Sequence, residues 1–203
     1  MHRVYRRAFD RGNEAIRWDG EYRGYLDFQE STRSFSQVAA FARRTVAVGT
    51  GEAARERPVA IVSGSYFGFF AARPARGRFF TAAEDVAPRG ANVVVLGHAF
   101  WQSEFGGRDV IGENLLVDQI PAVIVGVAPA GFAGTFDGEP PAAYIPITTY
   151  AVLRGTAYLD TYSWRSRSRR ACCSRRSAAW PASSSRIGVA PPHGVSSPTI
   201  RRG

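Results

Sequence analysis

The acidic residues stop at Asp160. All seventeen lie between Asp10 and Asp160, and residues 1–160 hold seventeen arginines, so that segment is formally neutral. Lysine is absent from the whole chain. Residues 161–203 add nine arginines and no acid, and they carry the entire net charge of +9. A domain that binds nucleic acid carries its basic excess on a folded face. Here the excess is confined to one end, so the charge is no guide to a partner and nucleic acid is not expected.

The same boundary separates foldable from unfoldable composition. Residues 161–203 contain ten serines and four prolines but only four residues from Val, Ile, Leu and Phe. Such a stretch buries too little apolar surface to offset the entropy of ordering it. Two accounts compete: a disordered basic tail, or GC-rich DNA read out of frame, which yields Arg, Ser, Ala and Pro. The abrupt loss of both acids and apolar periodicity favours the second. The expected organisation is one domain over residues 1–160 and an Arg/Ser-rich tail over 161–203. The two cysteines, Cys172 and Cys173, are adjacent within that tail and have no metal-ligand spacing around them.

No apolar run approaches the 18 or so residues that span a bilayer. Met1–Arg7 has positive charge but no apolar stretch after it, so the chain as written is expected to lack both a signal peptide and a transmembrane helix.

Within residues 1–160 the pattern predicts short, interleaved elements. Val4–Phe9 reads as a strand, with a polar loop through Asp19. Tyr22, Tyr25, Leu26 and Gln29 fall at helical spacing within Glu21–Glu30. Phe35, Val38 and Phe41, spaced by three, predict a second helical run from Ser34. Thr45–Val48 and Pro58–Ser63 read as strands around a turn at Gly49-Thr50-Gly51, and Ser65–Phe70 as a short aromatic helix. Thr81–Glu84 has capping-box spacing. Val93–Leu96 reads as a buried strand, followed by a helix over Gly97–Phe105 that Gly106-Gly107 closes. Leu115–Val117 and Pro121–Val127 flank Asp118-Gln119-Ile120 as a hairpin, and Tyr144-Ile145-Pro146 reads as a short edge strand. The class is α+β, a mixed sheet with β-hairpins.

Each motif that hints at chemistry has a plainer reading. Gly49-Thr50-Gly51-Glu52-Ala53-Ala54 matches the G-x-G-x-x-A dinucleotide fingerprint, but Pro58 leaves no room for the helix that would face a pyrophosphate. Ser63 and Ser65 lack the G-x-S-x-G spacing of a nucleophile elbow. His98 is the sole histidine between Arg3 and Asp160, and it shares a helical face with Trp101 and Phe105. A packed or half-exposed helix residue is the better reading. Glu84-Asp85 and Asp137 with Glu139 read as caps and solvated turns. Arg73, Arg76 and Arg78 beside Phe79 and Phe80 resemble a single-strand-binding patch, with Glu84 and Asp85 close enough to neutralise it. No catalytic, cofactor-binding or metal-binding residue is expected.

A run of linked motifs does resemble a family. Val62-Ser63-Gly64-Ser65-Tyr66-Phe67 is similar to "VSGNYF", Arg73–Phe80 to "RPALGRxF", Thr81–Asp85 to "TAEED" and Val93–Trp101 to "VVVLSxxxW". Phe105-Gly106-Gly107 is similar to "FGG", Val110-Ile111-Gly112 to "VIG" and Val125–Phe132 to "VGVAPxGF". Upstream, Tyr25–Phe28 and Ser34-Phe35-Ser36 resemble "YLDFR" and the start of "SFSGLAA". In this order, over residues 2–155, they resemble the MacB-like periplasmic core domain of ABC transporter permeases of the MacB/FtsX type.

The resemblance implies a periplasmic-core, porter-like architecture and no catalytic residue or cofactor. It implies an extracytoplasmic domain inserted between a first membrane helix and a later group. The partners it implies are the permease's membrane helices and an ATP-binding subunit or domain encoded elsewhere, together with a homodimeric permease or periplasmic proteins. Asp118-Gln119 departs from the Asn-Gly that members often carry. The absence of flanking membrane helices makes a truncated reading of a permease gene the simplest account. The alternative is a freestanding soluble interaction protein with the same fold.

Overall fold

The computed structural model describes residues 2–3, 5–10, 13–17, 19–49, 54–87, 90–136, 138–154, 164–170 and 187–188. In chain order the elements are β1 (His2–Arg3), β2 (Tyr5–Asp10), β3 (Asn13–Arg17), β4 (Asp19–Gly20), α1 (Tyr22–Ser31), β5 (Phe35–Val48), β6 (Arg55–Val62), α2 (Tyr66–Phe69), β7 (Arg76–Gly77), a 3₁₀ turn (Ala82–Glu84), β8 (Val93–Leu96), α3 (His98–Phe105), β9 (Asn114–Val117), β10 (Ile120–Val127), β11 (Ala143–Pro146), α4 (Ile147–Arg154), β12 (Trp164–Arg170) and β13 (Ile187–Gly188). Ten of the described strands form one mixed sheet, and β13, β2 and β3 form a second.

The middle of the large sheet is covered on both faces, and period-two alternation sorts its residues. Val38, Ala40 and Ala42 of β5, Val59 and Ile61 of β6, Val94 and Leu96 of β8, and Ala143 and Ile145 of β11 belong to one core, with Tyr22, Tyr25 and Phe28 of α1 and Trp101 of α3. Their neighbours Ala39, Phe41, Ala60, Val62, Val93, Val95 and Tyr144 belong to a second core, roofed by Tyr66, Phe67, Phe69 and Phe80. The roof is aromatic throughout: Phe67 stacks on Phe79 with centroids 3.9 Å apart, and Tyr66 meets Phe70 edge-on at 5.1 Å. Its two buried phenols are satisfied. The Tyr144 hydroxyl donates to the Phe132 carbonyl at 2.8 Å, and the Tyr66 hydroxyl accepts the Thr135 N–H at 3.1 Å.

Burial on both faces explains the main difference from the sequence reading. Of Ser34–Phe41, expected to be helical, Phe35–Phe41 forms the first half of the 14-residue strand β5. A strand buried on both sides carries apolar residues at successive positions, and a three-residue spacing can then be drawn through it by chance. Tyr144–Pro146 is likewise no edge. β11 pairs in parallel with β6 (Ala143↔Val59 to Pro146↔Val62) and antiparallel with β8 (Ala143↔Leu96, Tyr144↔Val95). Proline demotes a strand only where its missing donor is needed, and Pro146 sits at the strand's last position.

Other polar stretches pair through backbone alone. Asn13–Arg17, expected as part of a polar loop, is β3, paired antiparallel with β2 from Arg6↔Arg17 to Asp10↔Asn13. Within the segment expected to stand outside the fold, Trp164–Arg170 forms β12, which pairs antiparallel with β5 (Arg165↔Phe41 to Arg170↔Phe35) and also with β1 and β4. A ladder of N–H and C=O groups requires no apolar side chain of the strand that supplies it. Apart from β12 and β13, residues 161–203 lie outside the described residues.

The helix over Tyr22–Ser31, the hairpin of β9 and β10, the capping box at Thr81–Glu84 and the helix ending at left-handed Gly106 all form as the sequence implies. The hairpin turn carries Asp118 at φ 49° and Gln119 at φ 69°. Two successive left-handed residues are the type I′ geometry that fits the strand twist. For non-glycine residues that conformation costs about 1–2 kcal/mol each. Gln119→Gly removes one such cost at the expense of some chain entropy. It is expected to stabilise the protein by up to about 1 kcal/mol, seen as a higher urea midpoint with an unchanged slope.

Candidate functional site

The polar residues that the sequence singles out gather where β6 ends. Ser63 follows Val62 and is buried. Its Oγ accepts the Ala40 N–H at 3.0 Å and lies 2.9 Å from Ser65 Oγ. Ser65 Oγ donates to the Val38 carbonyl at 2.7 Å and is 3.0 Å from the Tyr25 hydroxyl. The two hydroxyls therefore continue the β5 ladder after β6 has ended, and they bind α1 to it through Tyr25. Burial pushes the Tyr25 phenol up, with Ser63 and Ser65 acting against that shift. Both serines act as structural links between β5, the end of β6 and α1.

Asp85 lies beside them. The 3₁₀ turn places Glu84 outward, where its carboxylate accepts the Thr81 N–H at 3.0 Å and takes two guanidinium hydrogen bonds from Arg78, both at 2.8 Å. Arg78 holds the Glu84 carboxyl below its usual range. The next residue turns inward. Asp85 is 7% exposed, and its carboxylate meets four donors on three segments. Oδ1 accepts the Thr148 N–H (3.0 Å) and the Thr148 hydroxyl (2.8 Å) at the start of α4. Oδ2 accepts the Gly64 N–H (3.0 Å) after β6 and the Tyr22 hydroxyl (3.3 Å) of α1. Desolvation by burial pushes this carboxyl up to about 6, although Thr148, Gly64 and Tyr22 all pull the other way. Removing a carboxylate from water outweighs four neutral donors.

The expectation of caps and solvated turns thus holds for Glu84, which closes the capping box, and fails for Asp85. The acid that matters most for the structure has no local mark in the sequence beyond following a capping box. Its partners come from 21 and 63 residues away. Gly64 fits tightly against the same turn, and a Cβ there would lie 2.5 Å from Ala82 Cα. Asp137 lies outside the described residues, and Glu139 is exposed.

His98 stands apart from this cluster. β11 pairs Pro146 with Val62 at one end and Ala143 with Leu96 at the other. Ser63 and Asp85 therefore lie beyond one end of β11 and His98, two residues after Leu96, beyond the other. Three strand steps alone separate the ends by about 10 Å. His98 packs edge-on against Trp101 with centroids 5.5 Å apart, and Trp101 Nε1 donates to the Arg108 carbonyl at 2.8 Å. No serine–histidine–acid set is assembled from these residues. Among the described residues, no group of three or more His, Cys, Asp or Glu side chains is placed to hold a metal ion.

The other motifs resolve as simply. Val48↔Arg55 is the last pair of an antiparallel ladder between β5 and β6, so Gly49 begins a hairpin connection, while Thr50–Ala53 lie outside the described residues. Arg78 is held by Glu84, Phe80 is buried and Phe79 is stacked on Phe67. The aromatic half of the supposed single-strand patch is committed to the core.

The chain is similar to the extracellular domain of the noncanonical ABC-type transporter YknZ from Gram-positive bacteria, with a TM-score of 0.62 and 14% identity over 84% of each chain. It is similar to the periplasmic region of MacB from Actinobacillus actinomycetemcomitans, with a TM-score of 0.59 and 13% identity over 84% of this chain and 76% of that one. A domain of a putative permease from Porphyromonas gingivalis matches with a TM-score of 0.56 and 14% identity, over 85% of this chain and 75% of that one. The family model of the MacB-like periplasmic core domain matches residues 4–200, and the chain belongs to that family. It is also 41% identical over 93 residues to the macrolide export ATP-binding/permease protein MacB of Chlorobaculum tepidum. The match takes in 44% of this chain and 14% of that relative. Among the described residues no helix is long and apolar enough to cross a membrane.

The geometry separates the roles of Asp85 and His98. Asn at position 85 must aim its amide –NH₂ at either the Gly64 or the Thr148 N–H. Asp85→Asn is therefore expected to cost about 1–3 kcal/mol. His98→Ala, which loses one edge contact with Trp101, is expected to cost about 1 kcal/mol or less. Urea unfolding of both variants beside the parent chain checks the order.

Proposed function

We propose that the chain acts as a non-catalytic extracytoplasmic domain of an ABC transporter permease, contributing partner or substrate interaction to ATP-coupled transport. One observation carries this reading beyond family membership. The side chains best suited to chemistry, Ser63, Ser65, Tyr25 and Asp85, bond to one another's segments inside the fold. Each hydroxyl or carboxylate is committed to structure, and His98 is set apart from all of them.

A domain of this kind draws on ATP through its connections. The reading therefore requires membrane helices joined to it and an ATP-binding subunit or domain outside it. A second permease copy or periplasmic proteins supply the remaining contacts. The relative from Chlorobaculum tepidum carries both an ATP-binding and a permease function in its name, which supports this arrangement. The intact permease then sits in the cell membrane with this domain on the extracytoplasmic side.

The test begins with the flanking DNA translated in all frames and proceeds to a topology reporter. Apolar spans of about 20 residues are expected on both sides. Alkaline phosphatase inserted at the exposed Gly138 loop of the intact gene product is expected to be active, and β-galactosidase at the same position inactive. Flanks without apolar spans, or the reverse reporter pattern, overturn the proposal in favour of a freestanding soluble interaction protein.

A further inference from the structure

α4 begins directly after Pro146, a residue whose side chain offers no hydrogen-bond acceptor. The first N–H groups of a helix need one. Asp85 supplies it from 63 residues away, taking both the N–H and the hydroxyl of Thr148. The same carboxylate holds the Tyr22 hydroxyl in the first turn of α1 and the Gly64 N–H at the end of β6. None of its four donors is a cation. A carboxylate buried this far, with no cationic partner among the described residues, sits in the setting that favours proton uptake.

The site accommodates the neutral acid as well as the anion. Tyr22 Oη lies 3.3 Å from Asp85 Oδ2 and 3.4 Å from the Asp85 carbonyl oxygen. When Oδ2 takes a proton from solvent, its new O–H donates to Tyr22 Oη, and the phenol turns its own proton to the Asp85 carbonyl. The Gly64 and Thr148 N–H groups keep their oxygens, with the Gly64 bond weakened because its acceptor is now a hydroxyl. An amide at this position lacks that freedom, since its –NH₂ must displace one backbone donor.

We propose that Asp85 is a proton-operated latch joining α1, the end of β6 and α4, so that the junction between the two helices changes with pH. The latch does not depend on the transport reading.

Among the described residues, the groups that face Asp85 from the packed elements leave it free to titrate alone. α1 presents Tyr22 and Tyr25, phenols that burial pushes up and that stay neutral throughout the relevant range. α4 presents Thr148, and the segment after β6 presents Gly64 and Ser63. Glu84 is adjacent in sequence, but Arg78 holds it low, so its titration falls at more acidic pH. The folded carboxyl is raised from 3.8 to about 6. The native state therefore binds the proton more tightly than the unfolded chain. The stabilisation from Asp85 is complete below the unfolded value and is lost as pH rises through about 6.

The test is a ¹³C NMR titration of the side-chain carboxyl of Asp85 in the full chain, with the Gly64 and Thr148 amide signals followed in parallel. The expected midpoint is near 6, shared by the carboxyl and both amides. The unfolding midpoint of the parent chain is expected to fall between pH 4 and pH 6.5 relative to that of Asp85→Asn. Tyr22→Phe, which removes a donor to the anion, is expected to move the Asp85 midpoint upward. A carboxyl midpoint near 4, or Gly64 and Thr148 amides that stay flat through the titration, overturns the latch. The parent-chain titration decides the matter even where Asp85→Asn fails to fold.

Discussion

Four buried residues, Ala143–Pro146, hold the two halves of the sheet together. On one side lies the long hairpin of β5 and β6, and on the other lie β8, β10 and β9. β11 pairs with both, running parallel to β6 and antiparallel to β8. Its flanks extend the bond: the Ala142 N–H donates to the Pro58 carbonyl and the Gly97 N–H to the Ala142 carbonyl, both at 2.8 Å. Because β11 is interior, each of its side chains is covered. Ile145 points into the aliphatic core and Tyr144 into the aromatic one.

The two faces use different chemistry to the same end. Aliphatic side chains and α1 fill one, where the packing surface is a ridge of helix against strand. The other has little helix to offer, and large flat rings take its place, roofing the sheet with Phe67, Phe79, Phe132 and their neighbours. Rings on irregular backbone bring polar groups with them, and the phenols of Tyr66 and Tyr144 pin the segment around Phe132–Thr135 in return. At the end of β6 the same need is met by serine hydroxyls and the Asp85 carboxylate. At both places the buried polar groups finish backbone ladders and helix starts.

Local chemistry was legible in the sequence wherever it is self-contained. The helix from Tyr22, the capping box at Thr81, the β9–β10 turn and the helix closed by Gly106 follow from residues a few positions apart, and the α+β class and the family follow from their order. What failed depended on distant partners. Phe35–Phe41 carries a three-residue spacing because both faces of β5 are buried over Val38–Ala42, and β11 passes for an edge because its two neighbours lie far off in the chain. Asp85 looks like any turn carboxylate until Tyr22, Gly64 and Thr148 converge on it. β12 shows a limit of another kind, since a strand paired through its backbone leaves no apolar signature to read.

The strand pairing also closes on itself. From β5 it runs through β6, β11, β8, β10 and β9 and returns to β5 at Val48↔Val117, reinforced by the Gly49 N–H to Leu116 and the Asp118 N–H to Ala47. A circuit offers two routes between any two of its members, so no single ladder is the sole connection. The ladders are far from equal, however: eight residue pairs join β5 to β6, whereas one joins β5 to β9. The narrow join is a seam, and thermal breathing begins there. The circuit can part at Val48 and Val117 and re-form while the other five ladders keep every strand in register.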